Sequence, residues 1–207
     1  MTLRYDDVVA DLRASYDGAV ADRDAMVRQQ FKLDERAVFL DRLLVAEAGS
    51  LLEIGAGTGQ DSVFFRDAGL DVTAVDLSPE MVRRCQEKGL NAAVRDLKHL
   101  DFKPGSFDAV YTMNLLLHVP NDDLEDALLA IRTVLKPGGL LFVGLWGGEP
   151  GEGVLPQDRQ EPKRFFSFRS DEQLIAYAGR VFEILDFHHV EDDGLRFQSM
   201  TLVCPLP

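Results

Sequence analysis

The sequence predicts an α/β fold: a doubly wound, mostly parallel sheet of seven strands, with an antiparallel C-terminal hairpin and N-terminal covering helices. Three observations predict it. Apolar runs of strand length alternate with helix-like segments from Leu51 to Trp146, as successive strand-helix units require. The run Leu51-Leu52-Glu53-Ile54 enters a glycine-rich turn, Gly55-Ala56-Gly57-Thr58-Gly59. Two strand-like runs near the C-terminus are joined by Glu191-Asp192-Asp193-Gly194, a connection suited to a hairpin.

Residues from about Tyr5 to Ala48 mix apolar and charged side chains at helical spacing and read as two or three helices, with Phe31, Val38, Phe39, Leu43 and Leu44 forming a buried stripe. Strands are expected at 51–55, 71–76, 91–94 and 107–113, with helices near 60–68 and 79–88. A helix from Asp122 to Leu135 follows, with Pro120 or Asn121 near its start, and Pro137-Gly138-Gly139 ends it before a strand from Leu140 to Trp146. Right-handed crossovers then place helices on both faces. Gly147-Gly148-Glu149-Pro150-Gly151-Glu152-Gly153 is expected to be a flexible loop without regular structure. A helix near 171–178 and strands from Phe182 to Val190 and Arg196 to Val203 complete the chain. The reading is one domain: a helical cap over 1–48, a ligand-binding core over 49–147, and a loop, helix and hairpin over 148–207.

A net charge of −13 opposes a broad phosphate-binding face, so nucleic acid is not an expected partner. Lys163, Arg164 and Arg169 form a local basic cluster that reads as a solvated loop. The two cysteines, Cys85 and Cys204, lack metal-ligand spacing and read as reduced thiols, with no metal site expected. His188 and His189 fall on a strand, where neighbours point to opposite faces and cannot chelate together. No run of signal-peptide or membrane-spanning character is seen, and a soluble cytoplasmic protein without a membrane partner is expected.

The glycine turn builds a ligand site from backbone, because residues without Cβ reach positive φ and allow close approach. The following strand, Val72-Thr73-Ala74-Val75, ends at Asp76, about twenty residues on, where a carboxylate accepts hydrogen bonds from ribose hydroxyls. Dinucleotide enzymes share that arrangement, but their third glycine would fall at Gln60, whereas Gly59 comes one residue earlier. With Glu53 two residues before the first glycine, and Val75-Asp76-Leu77-Ser78-Pro79-Glu80-Met81 following, the chain resembles the class I S-adenosylmethionine-dependent methyltransferases. Val94-Arg95-Asp96-Leu97, Ser106-Phe107-Asp108-Ala109-Val110-Tyr111 through Asn114, and Leu135-Lys136-Pro137-Gly138-Gly139-Leu140-Leu141 continue the resemblance in the family's order.

The resemblance implies a Rossmann-like fold whose last strand runs antiparallel between two parallel neighbours. It implies S-adenosylmethionine as cofactor, released as S-adenosylhomocysteine, with Gly55, Ala56, Gly57 and Gly59 around its amino-acid portion and Glu53 ordering that turn or the cofactor's ammonium group. Asp76 is then expected on the ribose, Leu77 on one adenine face, and Asp96 with Leu97 at the adenine edge. Asn114 is expected beside the reactive methyl, orienting the acceptor, and His118 is the candidate general base, since imidazole titrates near neutrality. Tyr5 and Tyr16 on the covering helices are candidate contacts, and Arg36 is a candidate for the cofactor carboxylate. Phe165, Phe166, Phe168 and Phe197 supply aromatic surface for core or acceptor pocket. The expected reaction is methyl transfer to an oxygen or nitrogen of a small-molecule acceptor. A protein or peptide acceptor, a non-catalytic cofactor-binding module and a nicotinamide oxidoreductase are the alternatives.

Overall fold

Helices come first along the chain: α1 (Tyr5–Asp17), α2 (Val20–Ala25) and α3 (Gln30–Val45). They are seen in a computed structural model that describes residues 3–206. Of the predicted apolar stripe, α3 buries Phe39 and Leu43, while Val38 and Leu44, each one residue round the helix, face solvent.

The alternating region yields β1 (Ser50–Ile54), α4 (Gln60–Asp67), β2 (Asp71–Asp76), α5 (Pro79–Glu87), β3 (Asn91–Val94), β4 (Phe107–Met113), a single 3₁₀ turn (Leu116–His118), α6 (Asn121–Val134) and β5 (Leu135–Gly147). Ser78 starts α5, its hydroxyl accepting from the Met81 N–H at 3.1 Å, with Pro79 in the first turn. Strand β5 begins at Leu135, earlier than predicted, because Leu135 already pairs with Phe107 before an irregularity at Phe107/Ala109.

The C-terminal part adds β6 (Gly151–Val154), β7 (Phe165–Phe168), α7 (Asp171–Ala178), β8 (Glu183–Asp192) and β9 (Leu195–Val203). The sheet order is β3-β2-β1-β4-β5-β9-β8, with β9 antiparallel to both β5 and β8 and the other pairings parallel. This is the predicted seven-stranded topology with its C-terminal hairpin. One expectation fails: Gly151–Val154 is not loop but a strand, paired antiparallel with Phe165–Phe168 in a separate ribbon. Partner geometry, not side-chain pattern, makes that strand.

Alternation along the strands sends side chains to two cores. Leu52, Ile54, Val110, Leu141 and Val143 pack with Leu124, Leu128 and Ile131 of α6. Leu51, Tyr111 and Phe142 pack with Phe39 and Leu43 of α3 and Phe65 of α4. Tyr111 stacks on Phe142 with centroids 4.8 Å apart, one of several aromatic pairs each contributing about 0.5–1.5 kcal/mol beyond burial.

The covering helices are pinned by charge. Asp123, in the first turn of α6, accepts from Arg4 Nε at 2.9 Å, Arg4 Nη2 at 2.8 Å and the Tyr5 N–H at 2.8 Å. That clamp fixes the start of α1 beside α6. The predicted basic cluster dissolves: Arg169 is fully buried and donates to the carbonyls of Leu116 at 3.0 Å and Val119 at 2.6 Å. Arg164 pairs with Asp158 at 2.8 Å and Lys163 with Glu161 at 2.9 Å. Among the described residues no helix is long and apolar enough to cross a membrane.

Candidate active site

Strand order reverses between β1 and β4, so the carboxyl ends of these strands open a crevice, the usual ligand position in such sheets. There lies a cavity of ≈ 500 Å³, walled by the turn after β1 and the ends of β2, β4 and β5, and roofed by residues of α1 to α3. Its size is that of a pocket for a cofactor or small ligand.

The turn is held by Gly55 and Ala56, whose N–H groups donate to the Val75 carbonyl at 2.8 and 3.1 Å. Gly57 has φ +55, and a Cβ there would meet no atom within 4 Å, leaving its backbone open to a ligand. Gly59 serves packing instead. At φ +81 it precedes α4, and a Cβ would stand 2.5 Å from Leu90 Cδ1 and 2.9 Å from Cys85 Sγ. Gly55, Ala56 and Gly57 line the cavity; Gly59 lies behind them.

Asp76 closes β2 with both carboxylate oxygens anchored, Oδ2 accepting from the Gly57 N–H at 2.8 Å and Oδ1 from the Ser78 N–H at 2.9 Å. Each oxygen keeps a further lone pair. Burial pushes the pKa of this carboxyl up, against those two hydrogen bonds. Leu77 and Leu97 provide apolar wall on either side.

Glu53 is buried behind the turn, where the Ser62 hydroxyl donates to it; burial, then the Asp61 carboxylate, push its pKa up. It ties β1 to α4 and does not line the cavity. Asp96 also lies outside the wall, accepting from the Lys98 N–H at 2.8 Å. Its carboxylate stands beside Tyr5, whose hydroxyl pKa is pushed up by burial and then by Asp96. Arg36 does not reach the cavity: Asp61 holds its Nη1 at 2.8 Å and its guanidinium lies 3.9 Å from the Phe64 ring centre. Arg28, bound to the same Asp61 at 2.9 Å, takes the wall position instead.

Asn114, just beyond β4, carries two marks of a functional position. Its backbone sits at φ +55, uncommon for a residue with a side chain, and its N–H donates to the Gly144 carbonyl at 2.7 Å. The residue lines the cavity, while its Oδ1 is buried beneath that surface without a hydrogen-bond partner among the described residues. An unpaired buried acceptor on a left-handed backbone is a local strain of the kind that collects at functional sites.

His118 also lines the cavity, but both ring nitrogens are engaged. Nδ1 lies 2.7 Å from the Phe165 carbonyl and Nε2 lies 2.8 Å from the Tyr16 hydroxyl. A carbonyl only accepts, so Nδ1 carries the proton, and Nε2 accepts from Tyr16. Burial, and after it the Arg164 charge, pull the His118 pKa down to about 3, which keeps the ring neutral. His118 therefore meets an acceptor only through Tyr16. The Tyr16 oxygen in turn accepts from Arg164 Nη1 at 3.2 Å. Position 118 stood out in the sequence; this partnership did not, because Tyr16 and the adjacent pair Arg164 and Phe165 come from two segments far from it in the chain.

Comparison with known proteins agrees with this geometry. Residues 52–143 match the family described as "Methyltransferase domain". A ubiquinone biosynthesis O-methyltransferase from Xanthomonas campestris pv. campestris (strain B100) is 36% identical over 116 residues, covering 51% of this chain and 46% of that protein. A 2-methyl-6-phytyl-1,4-hydroquinone methyltransferase from Synechocystis is 32% identical over 134 residues, 61% of this chain and 39% of that protein. The chain thus spans about half the length, or less, of these curated relatives. In fold it is similar to the Burkholderia thailandensis 1,6-didemethyltoxoflavin-N1-methyltransferase, solved with 1,6-didemethyltoxoflavin and S-adenosylhomocysteine bound: TM-score 0.71, 23% identity, 95% of this chain and 88% of that one covered. A Methanosarcina mazei methyltransferase gives TM-score 0.68 at 20% identity, covering 76% and 93%.

Proposed function

We propose that this chain is a class I S-adenosylmethionine-dependent methyltransferase, an enzyme transferring the cofactor's methyl group to an oxygen or nitrogen of a small-molecule acceptor; the matched methyltransferase domain and the similarity to two curated methyltransferases support this reading. The observation that carries this reading is one cavity lined both by the glycine turn with the doubly anchored carboxylate of Asp76 and by Asn114, held at φ +55 just beyond β4.

The residues present fit the cofactor. Asp76 binds the ribose hydroxyls through its remaining lone pairs, and the Gly57 backbone, with no Cβ and open space beside it, meets the amino-acid portion. Leu77 and Leu97 enclose the adenine, and Leu97 rather than Asp96 faces it. Glu53 and Gly59 act one layer behind, by fixing the turn and the start of α4.

When bound, S-adenosylmethionine supplies a methyl group already activated on a sulfonium, so the protein's task is alignment. Positioning alone is worth on the order of 7–11 kcal/mol of barrier. Asn114, on the cavity wall just beyond β4, orients the acceptor beside the methyl. Tyr16 faces the same space, its proton held by His118 Nε2 and its oxygen held by Arg164. His118, kept neutral by burial, acts as a positioning residue for Tyr16. The two separate free thiols, Cys85 and Cys204, support assignment to the cytosol.

The test is incubation with methyl-labelled cofactor and a panel of small phenols, amines and acids, alongside proteins and nucleic acids. Label is expected on a small molecule; label confined to a macromolecule overturns the acceptor class.

A further inference from the structure

The cavity wall contains one carboxylate, Asp76, against four cations, Arg23, Arg28, Lys32 and Arg95. The chain as a whole carries −13, so this cationic lining is local. Two of the four are paired, Arg28 with Asp61 at 2.9 Å and Arg95 with Asp101 at 3.2 Å. Lys32 is not. It is 8% exposed, and among the described residues no carboxylate or carbonyl meets its ammonium. Instead Nζ stands 4.6 Å from the Trp146 ring centre, 5.3 Å from that of Phe197 and 5.5 Å from that of Phe31.

Aromatic faces offset part of the cost of burying a cation, but a buried charge is retained where an anion pairs with it. Burial first, then Arg28, pull the Lys32 pKa down to about 8; Asp192 and Asp61 oppose this from a distance and Arg23 adds to it. An arriving anion would hold the ammonium charged and satisfy it.

Location identifies which ligand brings that anion. Trp146 ends β5, next to β4 and Asn114, whereas Asp76 ends β2, on the far side of β1. Three strand spacings separate the two ends, roughly 14 Å. Lys32 therefore overlies the acceptor end. Met113, Leu115, Leu195 and Trp146 surround that end with apolar surface.

We infer that Lys32 binds an acid group on the methyl acceptor, whose class is a small carboxylic acid with an apolar, aromatic body bearing the hydroxyl or amine to be methylated. The inference rests on the methyltransferase reading and goes one step beyond it. Arg23, which makes no ion pair among the described residues and packs 5.2 Å over the Tyr16 ring centre, adds to the same positive field.

The test uses protein saturated with S-adenosylhomocysteine and titrates it with ortho-, meta- and para-hydroxybenzoate and with their uncharged amides. At least one acid is expected to bind roughly tenfold or more tightly than its amide. Lys32→Met should abolish that preference and leave S-adenosylhomocysteine affinity unchanged, while Lys32→Arg should keep much of the preference. Equal binding of acids and amides, binding of none of them, or a preference undiminished in Lys32→Met overturns the inference. Loss of S-adenosylhomocysteine binding in a folded Lys32→Met protein also overturns it, by assigning the charge to the cofactor. Failure of S-adenosylhomocysteine to bind the unsubstituted protein would instead sink the methyltransferase reading itself.

Discussion

The Tyr16 hydroxyl lies 2.8 Å from Nε2 of His118, joining the first helix to the turn after β4 across 102 residues of sequence. Because Nδ1 is committed to the Phe165 carbonyl, Tyr16 is the donor, and its oxygen is left aimed by Arg164. Tyr16→Phe is expected to lower kcat/KM for whichever small molecule is methylated by roughly ten- to a hundredfold, the value of one strong hydrogen bond. Affinity for S-adenosylhomocysteine, measured by calorimetry, should stay as it was. A parallel loss of cofactor binding would show that Tyr16 serves the cofactor instead.

Acid should weaken the fold through His118. Its pKa in the folded chain is pulled down to about 3, below its ordinary 6.5, by burial. The unfolded chain therefore takes up the proton first as pH falls. The stability held by neutral His118 is complete above about 6.5 and is lost progressively down to about 3. Glu53 and Asp76, with raised pKa values, act in the opposite sense, so the comparison is with His118→Gln. Denaturant melts across this range should show a shallower loss in the variant; parallel curves would contradict a buried neutral imidazole.

Asp76→Ala should weaken S-adenosylmethionine binding roughly ten- to a hundredfold, since charge-assisted hydrogen bonds are worth about 1.5–3 kcal/mol. Removing this carboxylate also strands the Gly57 and Ser78 N–H groups, so a thermal melt should accompany the titration. Unchanged affinity in a folded variant would remove Asp76 from the cofactor site.

Gly59→Ala tests a different role for a neighbouring position. The new methyl would meet Leu90 and Cys85 at 2.5 and 2.9 Å on a backbone at φ +81. A destabilisation of about 1–3 kcal/mol is expected from overpacking and a left-handed backbone. Urea unfolding measures it; a stability equal to that of the natural chain would show that Leu90 and Cys85 yield at no cost.

What could be read from the sequence follows the range of the interactions involved. The turn from Gly55 to Gly59 and the carboxylate of Asp76 are local features of strand ends, so spacing alone placed them near one another. Gly59, Glu53 and Asp96 read from sequence as ligand contacts but stand behind the wall, because spacing cannot tell a residue that touches a ligand from one that holds the turn. Arg36 and Arg28 both bind Asp61, and only the folded chain shows that Arg28, in the link between α2 and α3, is the one on the cavity wall. The ribbon Gly151–Val154 was invisible because its glycines carry no alternating pattern, and its partner lies beyond the loop at Phe165–Phe168. The Lys32 cage, assembled from α3, β5 and β9, has no local signature at all.

The most direct measurement is calorimetric titration of the purified chain with S-adenosylmethionine and S-adenosylhomocysteine, with nicotinamide dinucleotides as controls. Saturable, one-site binding of the two sulfur ligands, and none of the dinucleotides, is the predicted result. Silence toward both sulfur ligands, or saturable binding of a dinucleotide, would contradict the assignment of this cavity.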